Sequence, residues 1–342
     1  MSIYELAAFC VYFIIVICIG VHFFLKSKTN GSEKDYFLGG RDMKGAVAAL
    51  SAGASDMSAW VLMGLPGSIY AAGLGQVWIS VGLAIGTILA WIFIAPRLRT
   101  FSMKADDSIT IPQFLTNRFK SENHALQFIS AIVFIIAYTV YAASSISACG
   151  DLFQTVFDLD SKTIPMIIAT IIILAYTFLG GFNAVCWTDF FQGLLMLAAL
   201  MLVPIVALSM INSGNFVPKS AAEIPANYYS ILSSGKLDTQ SLTDILSGFG
   251  WGLGYFGMPH ILVRYMSIKS RKEMNRSRII GSIWTFFIIL AASIVALVGR
   301  QYMGAGLANS GNQSKIFIEM VRDIFPALIS GMLLSAILAA SM

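Results

Sequence analysis

The chain has 342 residues, 57% of them hydrophobic and 12% charged, with a formal net charge of +4 and a mean hydropathy of +0.77. This composition excludes a soluble globular protein, and nothing in the charge points to nucleic acid. An all-α multi-pass membrane protein remains, since a bilayer core of about 30 Å takes roughly 20 apolar residues per helix.

Nine segments meet that length: 5–25, 46–72, 75–96, 125–150, 164–186, 187–211, 243–263, 279–299 and 325–342. Glu5 precedes the first run, a basic leader is missing, and the run is span-length, so it reads as a membrane helix and not a cleaved signal. The loops after the first, third and seventh spans, beginning with Lys26, Lys28, Lys34, Arg41 and Lys44, hold sixteen of the 22 Lys and Arg residues. The basic side is cytoplasmic by the positive-inside rule, which puts the N-terminus outside and points the ninth span inward.

The second span, Ala49-Leu-Ser-Ala-Gly-Ala-Ser-Asp56-Met-Ser-Ala-Trp60-Val-Leu-Met-Gly64-Leu-Pro66-Gly67, carries a carboxylate at its centre and is rich in Gly, Ala and Ser. An ionised Asp at that depth costs roughly 3 kcal/mol on insertion scales. No Lys or Arg falls inside any of the nine segments, so the expected partner of Asp56 is a cation from outside, Na⁺ or H⁺. Further along, Ile111–Phe119 with Pro112 near its start reads as a short interfacial helix. Cys10, Cys18, Cys149 and Cys186 fall in or beside spans without CxxC spacing and read as bystander thiols. Residues 217–242, with Pro218 and Pro225, read as an external loop.

The seventh span, Ser247-Gly-Phe-Gly-Trp251-Gly-Leu-Gly-Tyr255-Phe-Gly-Met-Pro259-His260, holds five glycines and a proline. Each Gly costs about 1 kcal/mol against Ala in a helix and Pro about 3. Lipid cannot satisfy the backbone groups that such breaks release, so both spans belong inside protein or beside water. Two interrupted spans an odd number apart cross in opposite directions, the pattern of a site between inverted repeats. Trp251, Tyr255 and Pro259 recur every four residues and are expected on one helix face. A channel predicts a repeated pore loop or charge ring instead. An enzyme predicts a His or Ser–Lys partner for Asp56 or Asp189, and none stands at workable spacing.

At these two spans the chain resembles the sodium/solute symporter family, and within it the sodium/proline symporters. Supporting matches run in family order: Phe37-Leu-Gly-Gly-Arg41, Ala95-Pro-Arg-Leu-Arg99, Phe178-Leu-Gly-Gly181, Trp187-Thr-Asp189 and Leu334-Ser-Ala-Ile-Leu-Ala-Ala340. The resemblance implies the leucine-transporter fold: a leading helix and first cytoplasmic loop over 1–45, a first five-helix repeat over 46–211, and a partial second repeat over 243–342. It implies Na⁺-coupled uptake of a small zwitterionic solute, first of all L-proline, by a monomer in the plasma membrane. Other small solutes, such as betaine, pantothenate or another amino acid, are the alternative, because Met258 stands where the proline carriers have Gln.

By the same resemblance the carbonyls of Ala54, Met57 and Ala340 bind Na⁺, and Asp56 either ligates the ion or fixes the break. Asp189 stands on the ion's inward exit route, or is simply an N-terminal helix Asp favoured by the dipole. Ser58, Trp60, Gly64 and Tyr141 join Trp251, Tyr255 and Pro259 around the substrate, and Arg41 is either an inner gate or an ordinary positive-inside arginine. The family pattern continues past Met342 with a Ser-Thr pair and further helices. Residues 1–342 alone are therefore expected to be inactive.

Overall fold

The computed structural model describes residues 3–27, 32–213, 216–221 and 223–341. Lys28 and Met342, named above, lie outside them. Helix α1 (Ile3–Ser27) is followed by α2 (Glu33–Leu38), whose first turn is capped where the Asp35 N–H donates to the Ser32 hydroxyl at 3.1 Å. The second span is α3 (Gly45–Met57), a 3₁₀ turn over Ala59–Val61, and α4 (Gly64–Ala72). Ser58 adopts φ 46°, ψ −174°, which no α-helix can continue, and the two halves bend by 70°. Helix α5 (Val77–Leu89) runs through a π-turn over Ala90–Ile94 into α6 (Ala95–Lys104). The interfacial helix is α7 (Ile111–Arg118), capped by the Thr110 hydroxyl.

Helix α8 (Ala125–Phe157) precedes α9 (Thr163–Ile211), which holds the fifth and sixth spans. The turn between them falls at Gly181, not at 186, because Gly181 takes φ 60°, a conformation that favours glycine. Trp187 and Asp189 consequently lie two turns inside the sixth span instead of at its end. The seventh span is α10 (Thr239–Gly252), a 3₁₀ turn over Leu253–Phe256, and α11 (Pro259–Ser267). Helices α12 (Arg271–Met303), α13 (Gly306–Asn309), α14 (Ile316–Ile324) and α15 (Ala327–Ser341) complete the described chain. Of the nine expected segments, five stand among the described residues as helical stretches long and apolar enough to cross a membrane and a sixth as the bent α3–α4 pair, whereas Thr163–Ala175 and Ala327–Ser341 form shorter apolar helices.

Helix α3 is the hub, packed against α9, α11 and α12. Its residues are small because they face protein on every side: Ala48, Ala49, Ser51, Ala52 and Ala54 are all buried. Helix α8 presents Phe128, Ile135, Ile136 and Val140 outward, as a lipid-facing helix does. Glycine meets glycine where α5 crosses α10. A Cβ at Gly82 would stand 2.2 Å from the Gly248 carbonyl oxygen, and one at Gly86 2.3 Å from that of Gly252. Such approach is the small-residue packing that membrane helices use in place of a hydrophobic drive. Replacing Gly86 by Ala should destabilise the protein by about 1–3 kcal/mol, the usual cost of overpacking. Thermal unfolding in detergent measures it, and an unchanged midpoint would contradict the backbone contact.

Candidate ion and substrate site

The two broken spans meet at their breaks. The rings of Trp60 and Trp251 stack with centroids 5.0 Å apart and planes inclined by 23°. Because Ser58 takes non-helical backbone angles, α3 stops there and its last carbonyls have no following turn of helix to bond. The Tyr141 hydroxyl of α8 reaches two of them, donating to Ser55 at 2.9 Å with Asp56 at 3.3 Å. Ala54, one turn before Ser58, borders a cavity of about 500 Å³ enclosed by α3, α8, α9, α11 and α15.

Ala340 borders the same cavity, so two of the three carbonyl-bearing residues expected around Na⁺ face one space. Ser341 borders it as well, its hydroxyl donating to the Ile337 carbonyl at 2.8 Å. Met57 is buried in the core beside the break and does not border that cavity. The lining is mainly apolar, and among its polar side chains Ser55, Tyr141, Ser145, Asp189 and Ser341 bear the oxygen atoms that a hard cation such as Na⁺ prefers.

The absence of an internal cation, inferred from the sequence, is corrected by the fold. Arg264 falls just outside the seventh segment by composition, yet α11 continues through it and buries it to 6% exposure. Its Nη2 donates to Asp189 Oδ2 at 2.7 Å. Nε donates to Ser51 Oγ at 2.6 Å, Nη2 also to Ser55 Oγ at 2.5 Å, and Nη1 to the His260 carbonyl at 2.6 Å. The hydroxyls of Ser51 and Ser55 in turn donate to Asp189, at 2.6 and 3.1 Å. Asp189 is thus a buried ion-pair partner at the cavity wall, not a helix-terminal carboxylate. Sequence reasoning missed Arg264; the available signal was a lone arginine flanked on both sides by apolar residues at helical spacing. It also left aside Tyr138, which bonds His260 Nδ1 through its hydroxyl and closes the α8–α11 side of the cavity.

The residues expected around the substrate are divided among neighbouring spaces. Ser58, Trp60 and Gly64 border a polar cavity of about 300 Å³ with Ser144, Ser147 and Asp151 of α8. Tyr141 borders the large cavity. Trp251, Tyr255 and Pro259 do not share one face, because the turn at 253–256 interrupts the helical period between them. Trp251 lies on Trp60, and Pro259 borders an apolar groove beside Phe134 and Val263. Tyr255 is buried and turns its hydroxyl toward the Asp56 carboxyl. Asp56 itself faces a small closed pocket on the opposite side of α3 from the cavity that Ala54 borders.

Arg41 closes the layer on the basic side. Its guanidinium is buried, with Nε donating to Asp107 at 2.9 Å and the remaining nitrogens to Ser102 Oγ and the carbonyls of Met266 and Ser108. It ties the segment before α3 to the end of α11. Burial pushes Arg41 below its usual pKa, while Asp107 pulls it back up. For Asp107, burial raises the pKa, but hydrogen bonds from Lys34 and Arg41 and their charges outweigh it and hold the group below 3.8.

Two broken helices crossing a bundle, with released backbone and buried charge at their junction, define an ion-coupled transporter fold of the leucine-transporter type. A family model for the sodium:solute symporter family matches residues 36–342. The chain belongs to that family, which comprises transporters and not enzymes. It is 42% identical over 332 residues to the sodium/proline symporters of Staphylococcus aureus strains JH9 and NCTC 8325, covering 97% of this chain and 63% of theirs. The chain therefore spans less than two thirds of the length of these curated relatives. In architecture it is similar to a Na⁺-coupled sialic acid symporter solved substrate-bound and outward-open, with a TM-score of 0.77 and 20% identity over 99% of this chain and 71% of that one.

Removing one partner of a buried ion pair strands the other at a cost of about 3–5 kcal/mol. Arg264→Met alone should therefore destabilise the protein strongly. The double variant Arg264→Met, Asp189→Leu should recover much of that loss, and a non-additive thermal-unfolding cycle is the expected signature. The lowered Asp107 pKa makes a separate prediction. Its contribution is complete above the ordinary carboxylate value and is lost as pH falls through the lowered one. Acid should loosen the Arg41 clamp only below about pH 4. Asp107→Asn should remove that step from a pH profile of the unfolding midpoint, whereas Asp42→Asn, at the exposed pair with Lys269, should leave it.

Proposed function

We propose that the protein carries a small zwitterionic solute, L-proline first of all, into the cytoplasm together with Na⁺ by alternating access. The observation that carries this reading is the single cavity bordered by Ala54 at the break of α3 and by Ala340 on α15. Residues of both repeats thereby border one space, which suits a cation whose binding must be felt by both. In this reading Na⁺ is held by the carbonyls of Ala54 and Ala340, with Met57 set back in the core beside the break, and leaves past Asp189. The stacked Trp60 and Trp251 supply a flat apolar wall for a compact ring, with Ser58 and Gly64 beside them. Tyr141 holds the released end of α3.

Proline as substrate is supported by the 42% identity to sodium/proline symporters. Met258 favours the second reading, a different small solute, because a thioether cannot offer the hydrogen bonds of a Gln amide. The energetics suit either. One cation entering down 100 mV yields about 2.3 kcal/mol, enough for roughly fifty-fold accumulation at one ion per solute.

Uptake of radiolabelled proline into proteoliposomes by these residues joined to the C-terminal helices of a sodium/proline symporter, with inward Na⁺ or K⁺ gradients, tests the proposal. Uptake that requires Na⁺ and is competed by unlabelled proline is expected. Glycine betaine, pantothenate and glucose should not compete; preferential competition by one of them would identify that compound's class as the substrate. Trp251→Ala should weaken proline ten- to a hundredfold, the loss of one aromatic wall, with little change in the Na⁺ half-saturation.

A further inference from the structure

A second cavity, of about 430 Å³, lies on the basic side between the end of α1, α2, the segment before α3 and the bend of α9. None of its lining residues borders the cavity of Ala54 and Ala340. Trp187 and Asp189 stand two residues apart on α9 and so turn to different sides of it. Part of the wall is aromatic: Trp187 stacks on Phe23 with ring centroids 6.3 Å apart and planes inclined by 20°. The polar part is Asp35, Asp42, Lys44 and Asn183.

Asp42 is already paired, with Lys269 at 2.7 Å. Asp35 and Lys44 belong to no ion pair among the described residues. The Asp35 carboxylate accepts from the Ser32 hydroxyl at 2.6 Å, and an ionised carboxylate accepts several such bonds. The Asn183 side-chain amide has no hydrogen-bond partner among the described residues. One carboxylate, one ammonium, an amide and an aromatic wall are the complement of a small amino acid. Its amino group matches Asp35, its carboxylate matches Lys44 and Asn183, and its carbon frame matches Trp187 and Phe23. A simple cation or anion would answer one of the two charges and leave the other.

We propose that Asp35, Lys44, Asn183 and Trp187 form a site on the cytoplasmic side for a small zwitterionic amino acid, through which accumulated solute restrains the carrier. Lys44 immediately precedes α3, while Asn183 and Trp187 belong to α9. A ligand held between them pins the start of α3 to α9, beside the Arg41 clamp. In an alternating-access cycle these inner ends must part to release solute, so occupancy slows that step. Partly exposed charges bind weakly, which suits a solute that has accumulated and not a scarce external one. The restraint rests on the transport reading; the site itself is measured by binding in the absence of Na⁺.

The test is binding of radiolabelled L-proline to the purified chain in choline chloride without Na⁺, where a Na⁺-coupled site stays empty. Saturable binding is expected. Asp35→Asn and Lys44→Gln each remove one charge and nearly keep shape; each should weaken binding about fivefold and leave the unfolding midpoint unchanged. Prolinamide, which keeps only the amino charge, and N-acetylproline, which keeps only the carboxylate, should compete about fivefold less well than proline. Wild-type protein without saturable binding, or binding untouched by both substitutions, would overturn the site. Prolinamide competing as well as proline would overturn the zwitterion assignment, since Asp35 alone would then account for binding. The restraint is read in proteoliposomes, with these residues joined to the C-terminal helices of a sodium/proline symporter. Proline inside should slow Na⁺-driven uptake by the wild type and not by Asp35→Asn; equal slowing in both would overturn the restraint. Na⁺-free binding that both substitutions weaken, with no Na⁺-driven uptake, refutes the transport reading alone; Na⁺-driven uptake without Na⁺-free binding refutes this site alone.

Discussion

The buried pair of Arg264 and Asp189 is the interaction on which the rest of the inner half depends. Each charge alone is intolerable at this depth, so the two helices that carry them must meet, and α3 must lie between them to supply Ser51 and Ser55. One ion pair thereby fixes the relative position of α3, α9 and α11. Because the two charges offset each other, the pair adds no net charge to the wall of the large cavity. Any movement that parts α11 from α9 must first replace these hydrogen bonds. Water admitted from the basic side is one replacement.

The backbone breaks impose a second constraint. Carbonyls released where α3 stops cannot face lipid, and the chain answers with Tyr141 from α8, which binds two of them and leaves Ala54 turned to the cavity. The opposing break is covered by tryptophan on tryptophan. The α5–α10 crossing can be as close as it is only because glycine stands at each contact, and that approach presses the seventh span against the second. Flexibility of the breaks and rigidity of the crossing are therefore complementary: one part is free to rearrange because its neighbour is not.

The inner face is closed by short-range contacts of a different kind. Arg41 clasps Asp107 and the end of α11, Arg99 donates to the carbonyls of Ile268 and Lys269, and Met43 forms an isolated parallel bridge with Ile268. These involve loop residues and partly exposed charges, which are weaker and more readily exchanged for water than the Arg264 pair. The molecule thus carries a strong lock at mid-depth and a lighter one at the surface.

Much of this was legible in the sequence. Hydrophobic run length marked nine segments, of which five stand as single long apolar stretches and a sixth as the bent α3–α4 pair among the described residues, and Gly, Ser and Pro marked both breaks, because backbone propensity acts locally. Motif order gave the family and singled out Ala54, Asp56, Asp189 and Ala340. What the sequence could not give was which way each side chain turns once the helix is broken. Trp251, Tyr255 and Pro259 keep a four-residue period on paper, yet a few residues of 3₁₀ turn send them to three separate surroundings. Arg264 read as a loop residue because hydropathy counts only neighbours in the chain, whereas its burial depends on a carboxylate supplied by another helix. Asp56 and Ala54 stand two residues apart and face opposite sides of α3. That division of carboxylate from carbonyl is decided by the packing of α5, α11 and α12, which no local pattern encodes.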